Sequence, residues 1–190
     1  MTKRNIHSDP TLRVCFCGIM TAIIFVANYL RIPFMGTSVH MTNALCAMAG
    51  LLFGPWLGFV AAGLGSALYD LTAGYGAECL ITFVSKGAIA VVAGLIAGRV
   101  RFAPETRRVD VIRVVLACVA GALTYVALYM LKTFIFGMWV NGLGLEGTLV
   151  KMGTKIVGSL INALFASVAG PIVFLALKPA LRHAGLMEKM

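Results

Sequence analysis

An all-α membrane protein, built as a compact bundle of six transmembrane helices with both termini cytoplasmic, is the fold class this sequence predicts. Three observations carry that reading. The chain is 60% hydrophobic with a mean hydropathy of +0.94. Only 12% of its residues are charged, against about 25% in soluble domains. Apolar runs near the length that crosses a roughly 30 Å hydrocarbon core recur from end to end. Most of the 190 residues are used by such runs, which leaves little for a soluble catalytic domain. A single integral-membrane domain over 1–190 is expected.

The predicted spans cover about 12–30, 40–53, 56–72, 80–98, 111–137 and 149–177. The first follows a short polar stretch without a signal-peptide cleavage pattern and reads as a retained helix. The second is short for a full crossing. Gly54 and Pro55 then force a turn before the third.

Orientation comes from the basic residues. Lys3, Arg4, Arg13, Arg99, Arg101, Arg107, Arg108, Arg113, Lys178, Arg182 and Lys189, 11 of the 16, lie at what becomes one face. This predicts a cytoplasmic N-terminal tail over about 1–11, a cytoplasmic loop over about 99–110 and a cytoplasmic C-terminal tail over about 178–190. The net charge of +9 is then a topology signal. Because it is spread over two tails and a loop, no nucleic-acid partner is read from it.

The remaining polar residues fall on helical stripes. Glu78, Thr82 and Lys86 share a face of the fourth span, Tyr125, Tyr129 and Lys132 of the fifth, and Lys151, Lys155, Ser159 and Asn162 of the sixth. Each stripe lies toward the outer half of its helix, so the three enclose one polar pocket opening outward. Ionisable groups inside a span cost about 2.5–3.5 kcal/mol on insertion scales and face protein or water. Lys132 and Lys151 equally suit snorkelling to the interface. Asp70, near the outer end of the third span, is placed to pair with Lys86.

Outer loops add further candidates. Phe34, Tyr75 and Trp139 are placed to stack on a flat ring, and His40, Asn43 and Asn141 to supply hydrogen bonds. An interfacial aromatic belt is the structural alternative. Small residues at Gly18 and Ala22, and at Ala61, Ala62, Gly65 and Ser66, let helix backbones approach closely. The five cysteines show no C-x-x-C spacing and most fall inside spans, so they read as small hydrophobes; no metal or cofactor site is read from the sequence.

The stretch from "LLFGPWLGFVAAGLGSALYDLTAGYG" to "LITFVSKGAIAVVAGLIAG" resembles the substrate-binding (S) components of energy-coupling factor (ECF) transporters. The shared features, centred on 40–98, are the FGP turn, the glycine-rich third helix ending in "LYDL", the glycine-tyrosine loop and the lysine of "TFVSKG". The resemblance implies a six-helix protein of the bacterial cell membrane that captures a vitamin or precursor outside with high affinity. It implies as partners a transmembrane coupling protein and two ATP-binding subunits, and delivery by tilting of the loaded protein within the bilayer. Gly18 and Ala22 match the A-x-x-x-A positions that meet the coupling protein, with glycine in place of the first alanine. Queuosine precursor, hydroxymethylpyrimidine, riboflavin and pantothenate classes are the implied cargoes. Thr42 and Asn43 stand where several members carry Gly-Asp, which removes a carboxylate from the pocket edge.

Two rival functions remain. A self-sufficient secondary transporter or channel lacks support from internal repeats. An intramembrane serine enzyme using Ser66 and His40 lacks a strained turn to expose its nucleophile. With no P-loop in the chain, ATP must be used by another subunit.

Overall fold

The computed structural model describes residues 10–34, 37–98, 100 and 108–184. Among these, six α-helices and one hairpin follow in the order α1 (Pro10–Ala27), β1 (Arg31–Phe34), β2 (Thr37–His40), α2 (Thr42–Phe53), α3 (Pro55–Thr72), α4 (Cys79–Ala97), α5 (Arg108–Ile135) and α6 (Gly144–His183). The tail over 1–9, most of the loop expected at 99–110 and the last six residues lie outside the described residues.

Helix α2 is the pillar. Eleven of its 12 residues are buried, all except Leu45, and it touches α1, α3, α4, α5 and α6. A helix apolar on every side belongs inside a bundle. At 1.5 Å per residue it is about 18 Å long, too short to cross the hydrocarbon core. Four helical segments, Pro10–Ala27, Gly76–Ala97, Arg108–Val140 and Gly144–His183, are long and apolar enough to cross a bilayer. The six expected helices are present and the second is short, as its sequence suggests, while the number long and apolar enough to cross is corrected from six to four among the described residues. Helix α3 falls short in hydropathy because three glycines, Ser66, Tyr69 and Asp70 dilute its apolar residues.

Gly54 makes the turn between α2 and α3 with φ +83°, a left-handed conformation that side chains disfavour, and Pro55 opens α3 at a position where its missing N–H costs nothing. Bare backbone lines the contacts around it. A Cβ on Gly50 would run into the carbonyl of Ala90 on α4, and one on Gly94 would lie 2.7 Å from the Pro55 nitrogen. Phe59 and Phe83 meet edge to face at 5.1 Å between α3 and α4. Outward, the bundle is covered by large apolar side chains such as Leu80, Leu164 and Trp56, which suits lipid as solvent.

The hairpin was not foreseen. Its segment reads as a loop and as the start of the second span, whereas Arg31 pairs with His40, Ile32 with Val39 and Pro33 with Ser38 in an antiparallel ladder. Two residues, one a glycine, separate the strands in the sequence, which is a hairpin signal. Asn162 of α6 latches it: its Oδ1 accepts from the His40 amide and its Nδ2 donates to the Ser38 carbonyl, both at 2.8 Å.

The ends of α5 and α6 also differ from expectation. Helix α5 passes into a π-helical turn over Phe136–Val140. Helix α6 continues six residues beyond 177 because Lys178 is buried, donating to the Val100 carbonyl at 3.0 Å, and does not begin a solvated tail. Cys17, Cys46 and Cys118 are buried, while Cys15 is exposed.

Two substitutions test this packing. Gly50→Ala is expected to destabilise by about 1–3 kcal/mol through overpacking, read as a lower thermal midpoint in detergent, whereas Gly18→Ala, with nothing within 4 Å of the added Cβ, leaves it unchanged. Asn162→Leu removes both latch bonds, and faster hydrogen exchange at the His40 amide is the expected outcome.

Candidate functional site

A cavity of about 290 Å³ opens at the end of the bundle where α3 ends, α4 begins and the hairpin is latched. The last turn of α1 and the first third of α6 reach it through Asn28 and Lys155, so Pro10 and His183 point to the opposite end. Helix α4 contributes Glu78 (the residue before its first), Thr82, Ser85 and Lys86; α5 contributes Tyr125, Tyr129 and Lys132. The stripes expected on these two helices therefore converge. Helix α3 adds Tyr69 and Asp70, and the loop after it adds Tyr75. Arg31, Ser38 and His40 form the hairpin wall.

Every cation in this lining rests on a tyrosine ring. Lys86 Nζ lies 4.5 Å from the Tyr125 centroid, Lys155 Nζ 5.5 Å and Lys132 Nζ 5.6 Å from Tyr129, and Arg31 lies 5.4 Å from Tyr75 and 5.7 Å from Tyr69. The Tyr125 and Tyr129 rings are stacked, 5.7 Å apart. Such contacts contribute about 0.5–2 kcal/mol each, enough to orient a cation but less than a full counter-charge.

The expected Asp70–Lys86 pair is absent. Lys86, only 4% exposed, donates to Asn43 Oδ1 at 2.5 Å, and the Asp70 side chain is hydrogen-bonded to Thr82. Glu78 instead forms an ion pair with Lys132, so Lys132 is held inside the site and does not snorkel. Asn43 is fully buried and supports the site from behind, through Lys86.

The α6 stripe splits. Lys155 faces the cavity, Ser159 donates to the Lys155 carbonyl at 3.0 Å, and Asn162 serves the hairpin. Trp139, 80% exposed, and Asn141, also exposed, lie away from the cavity. The wide π-helical turn breaks the 3.6-residue register that carries Tyr125, Tyr129 and Lys132 inward, so the residues after Phe136 no longer continue that face. Phe34 ends β1, and its side chain is outside the described residues. Gly18 and Ala22 share an exposed face of α1, away from the cavity. Asn28, Arg31, Ser38, Tyr69 and Ser85, which adjoins Lys86 one position off the expected stripe, were missed. The first three lie in the hairpin or just after α1, while Tyr69 adjoins Asp70 and was hidden by its apolar ring.

A model of the ECF-type riboflavin transporter S component family matches residues 9–179. The chain belongs to this family. A solved S component of a bacterial ECF transporter has the same fold, with a TM-score of 0.65 over 93% of this chain and 98% of its own, at 15% identity. A UPF0397 protein of Streptococcus gordonii is 28% identical over 178 residues, 90% of each chain. As an ECF S component the protein is a membrane-embedded transport protein with a substrate-binding role in vitamin or precursor uptake, not an enzyme. The arrangement of tyrosines and fixed charges suits binding, and Ser66, fully buried within α3, is not placed as a nucleophile.

His40 supplies a pH test in the hairpin. Burial, then the nearby Lys86 and Arg31 charges, hold its imidazole well below 6.5. The folded state therefore prefers neutral His40, and its contribution to stability is complete above about pH 6.5 and is lost as pH falls toward the folded-state value. The expected outcome is a thermal midpoint that drops on acidification below about pH 6.5 and drops less in His40→Gln.

Proposed function

We propose that this S component captures a compact, ring-bearing vitamin or nucleobase-type precursor at the outer face of a bacterial cell membrane and delivers it inward within an ATP-driven ECF importer. The single observation that supports this most is the cavity itself. Four tyrosines and paired polar groups line about 290 Å³, near the lower end of small-molecule pockets. The substrate-binding residues of this reading are His40, Asp70, Tyr75, Glu78, Lys86, Tyr125, Tyr129 and Lys155, with Asn43 and Ser159 behind them. Hydroxymethylpyrimidine and queuosine-precursor classes suit that volume, pantothenate suits its charge, and riboflavin is the cargo in the family's description.

In this reading the chain is one membrane domain with its cavity outward and both termini cytoplasmic, the orientation supported by the basic residues at the opposite end. Helix α2 stays inside the bundle and the other five helices meet lipid. The exposed face at Gly18 and Ala22 docks the coupling protein, and two ATP-binding subunits supply the energy.

The test uses the purified chain with and without the rest of the importer. The lone protein is expected to retain a small molecule, identified by mass spectrometry, and to show no steady uptake in liposomes. Uptake driven by an ion gradient alone would overturn the reading in favour of a secondary transporter. Gly18→Trp is expected to leave binding intact and abolish uptake by the assembled importer; parallel loss of binding would remove Gly18 from the docking face.

A further inference from the structure

We infer that the cargo is an organic anion, held by an acidic group, carboxylate or phosphate, on the Lys86–Lys155 side of the cavity. The inference rests on the capture reading above and narrows its substrate class. Four cationic side chains line the site, Arg31, Lys86, Lys132 and Lys155, against the two carboxylates of Asp70 and Glu78. Glu78 is taken by Lys132. Asp70, hydrogen-bonded to the neutral Thr82, keeps its charge, so once Glu78 and Lys132 are paired three cations face one carboxylate. Among the described residues, no carboxylate lies within 4.0 Å of Arg31, Lys86 or Lys155.

What those three cations have instead is neutral. Lys86 has the Asn43 amide and the Tyr125 ring, Lys155 has Tyr129, and Arg31 has two rings and the Tyr75 hydroxyl at 3.3 Å. Neutral partners orient a charge without cancelling it. The surplus is concentrated, because Lys86 and Lys155 bear on the two rings of one stack. His40 lines the same space. An amine-bearing cargo finds Glu78 already paired and only Asp70 left to accept from it, against three cations without a carboxylate partner. The cavity's polarity therefore selects a negative ligand, with the tyrosines left to cover its flat or apolar portion.

The test uses matched pairs that differ in one acidic group: pantothenate and pantothenol, nicotinate and nicotinamide, riboflavin 5′-phosphate and riboflavin, hydroxymethylpyrimidine phosphate and hydroxymethylpyrimidine. Each is titrated calorimetrically into the full-length protein in detergent near neutral pH. The acidic member of at least one pair is expected to bind about 10- to 100-fold more tightly than its neutral partner. Lys155→Gln should erase that preference and Lys155→Arg should keep it, and the arginine variant also controls for folding. Neutral members that bind as tightly as their acids, or more tightly, in every pair that binds overturn the anion inference and leave the capture reading standing. A folded protein that binds no member of any pair overturns both.

Discussion

The structure depends on how closely three helix backbones approach one another around α2. Gly50 and Gly94 leave no side chain where α2 and the Gly54–Pro55 turn meet α4, and Gly58 of α3 lies so near that a Cβ there would sit 2.8 Å from the Gly50 backbone. In lipid there is little hydrophobic drive between helices, so such bare contacts carry the association. They also let a 12-residue helix sit wholly inside the bundle. Because α2 starts at the hairpin and ends at the turn into α3, its position sets where Asn43, Tyr69 and Asp70 come to lie.

The cavity is a second consequence of that pillar. Lys86 can be buried because Asn43, on the first turn of α2, accepts a hydrogen bond from it and Tyr125 covers it from α5. Three elements thus hold one ammonium group. The Glu78–Lys132 pair ties the start of α4 to the end of α5 in the same way. The polar groups therefore do double duty, bracing the open end of the bundle while presenting charge to the space between them.

Much of this was legible in the sequence where periodicity decides. Glu78, Thr82 and Lys86, and likewise Tyr125, Tyr129 and Lys132, recur at three- and four-residue spacing in continuous helices, so their common direction follows from geometry. Asp70 and Lys86 come to one cavity yet choose other partners: Lys86 donates to Asn43 and Asp70 bonds to Thr82, while the two charges stay more than 4.0 Å apart. Partner choice is a matter of ångströms, which spacing along a chain does not encode. Trp139 lies away from the cavity for a different reason: it sits within a π-helical turn that interrupts the helical register. The hairpin is four residues a side and carries a proline, a signal easily read as a loop. Its placement depends on Asn162, and nothing local to either segment announces that pairing.

The Asn162 latch joins positions that are 122 and 124 residues apart. During synthesis the hairpin leaves the ribosome early, whereas its anchor lies on the last helix of the bundle. A chain halted before α6 holds most of the lining but lacks the two bonds that latch the hairpin to the bundle.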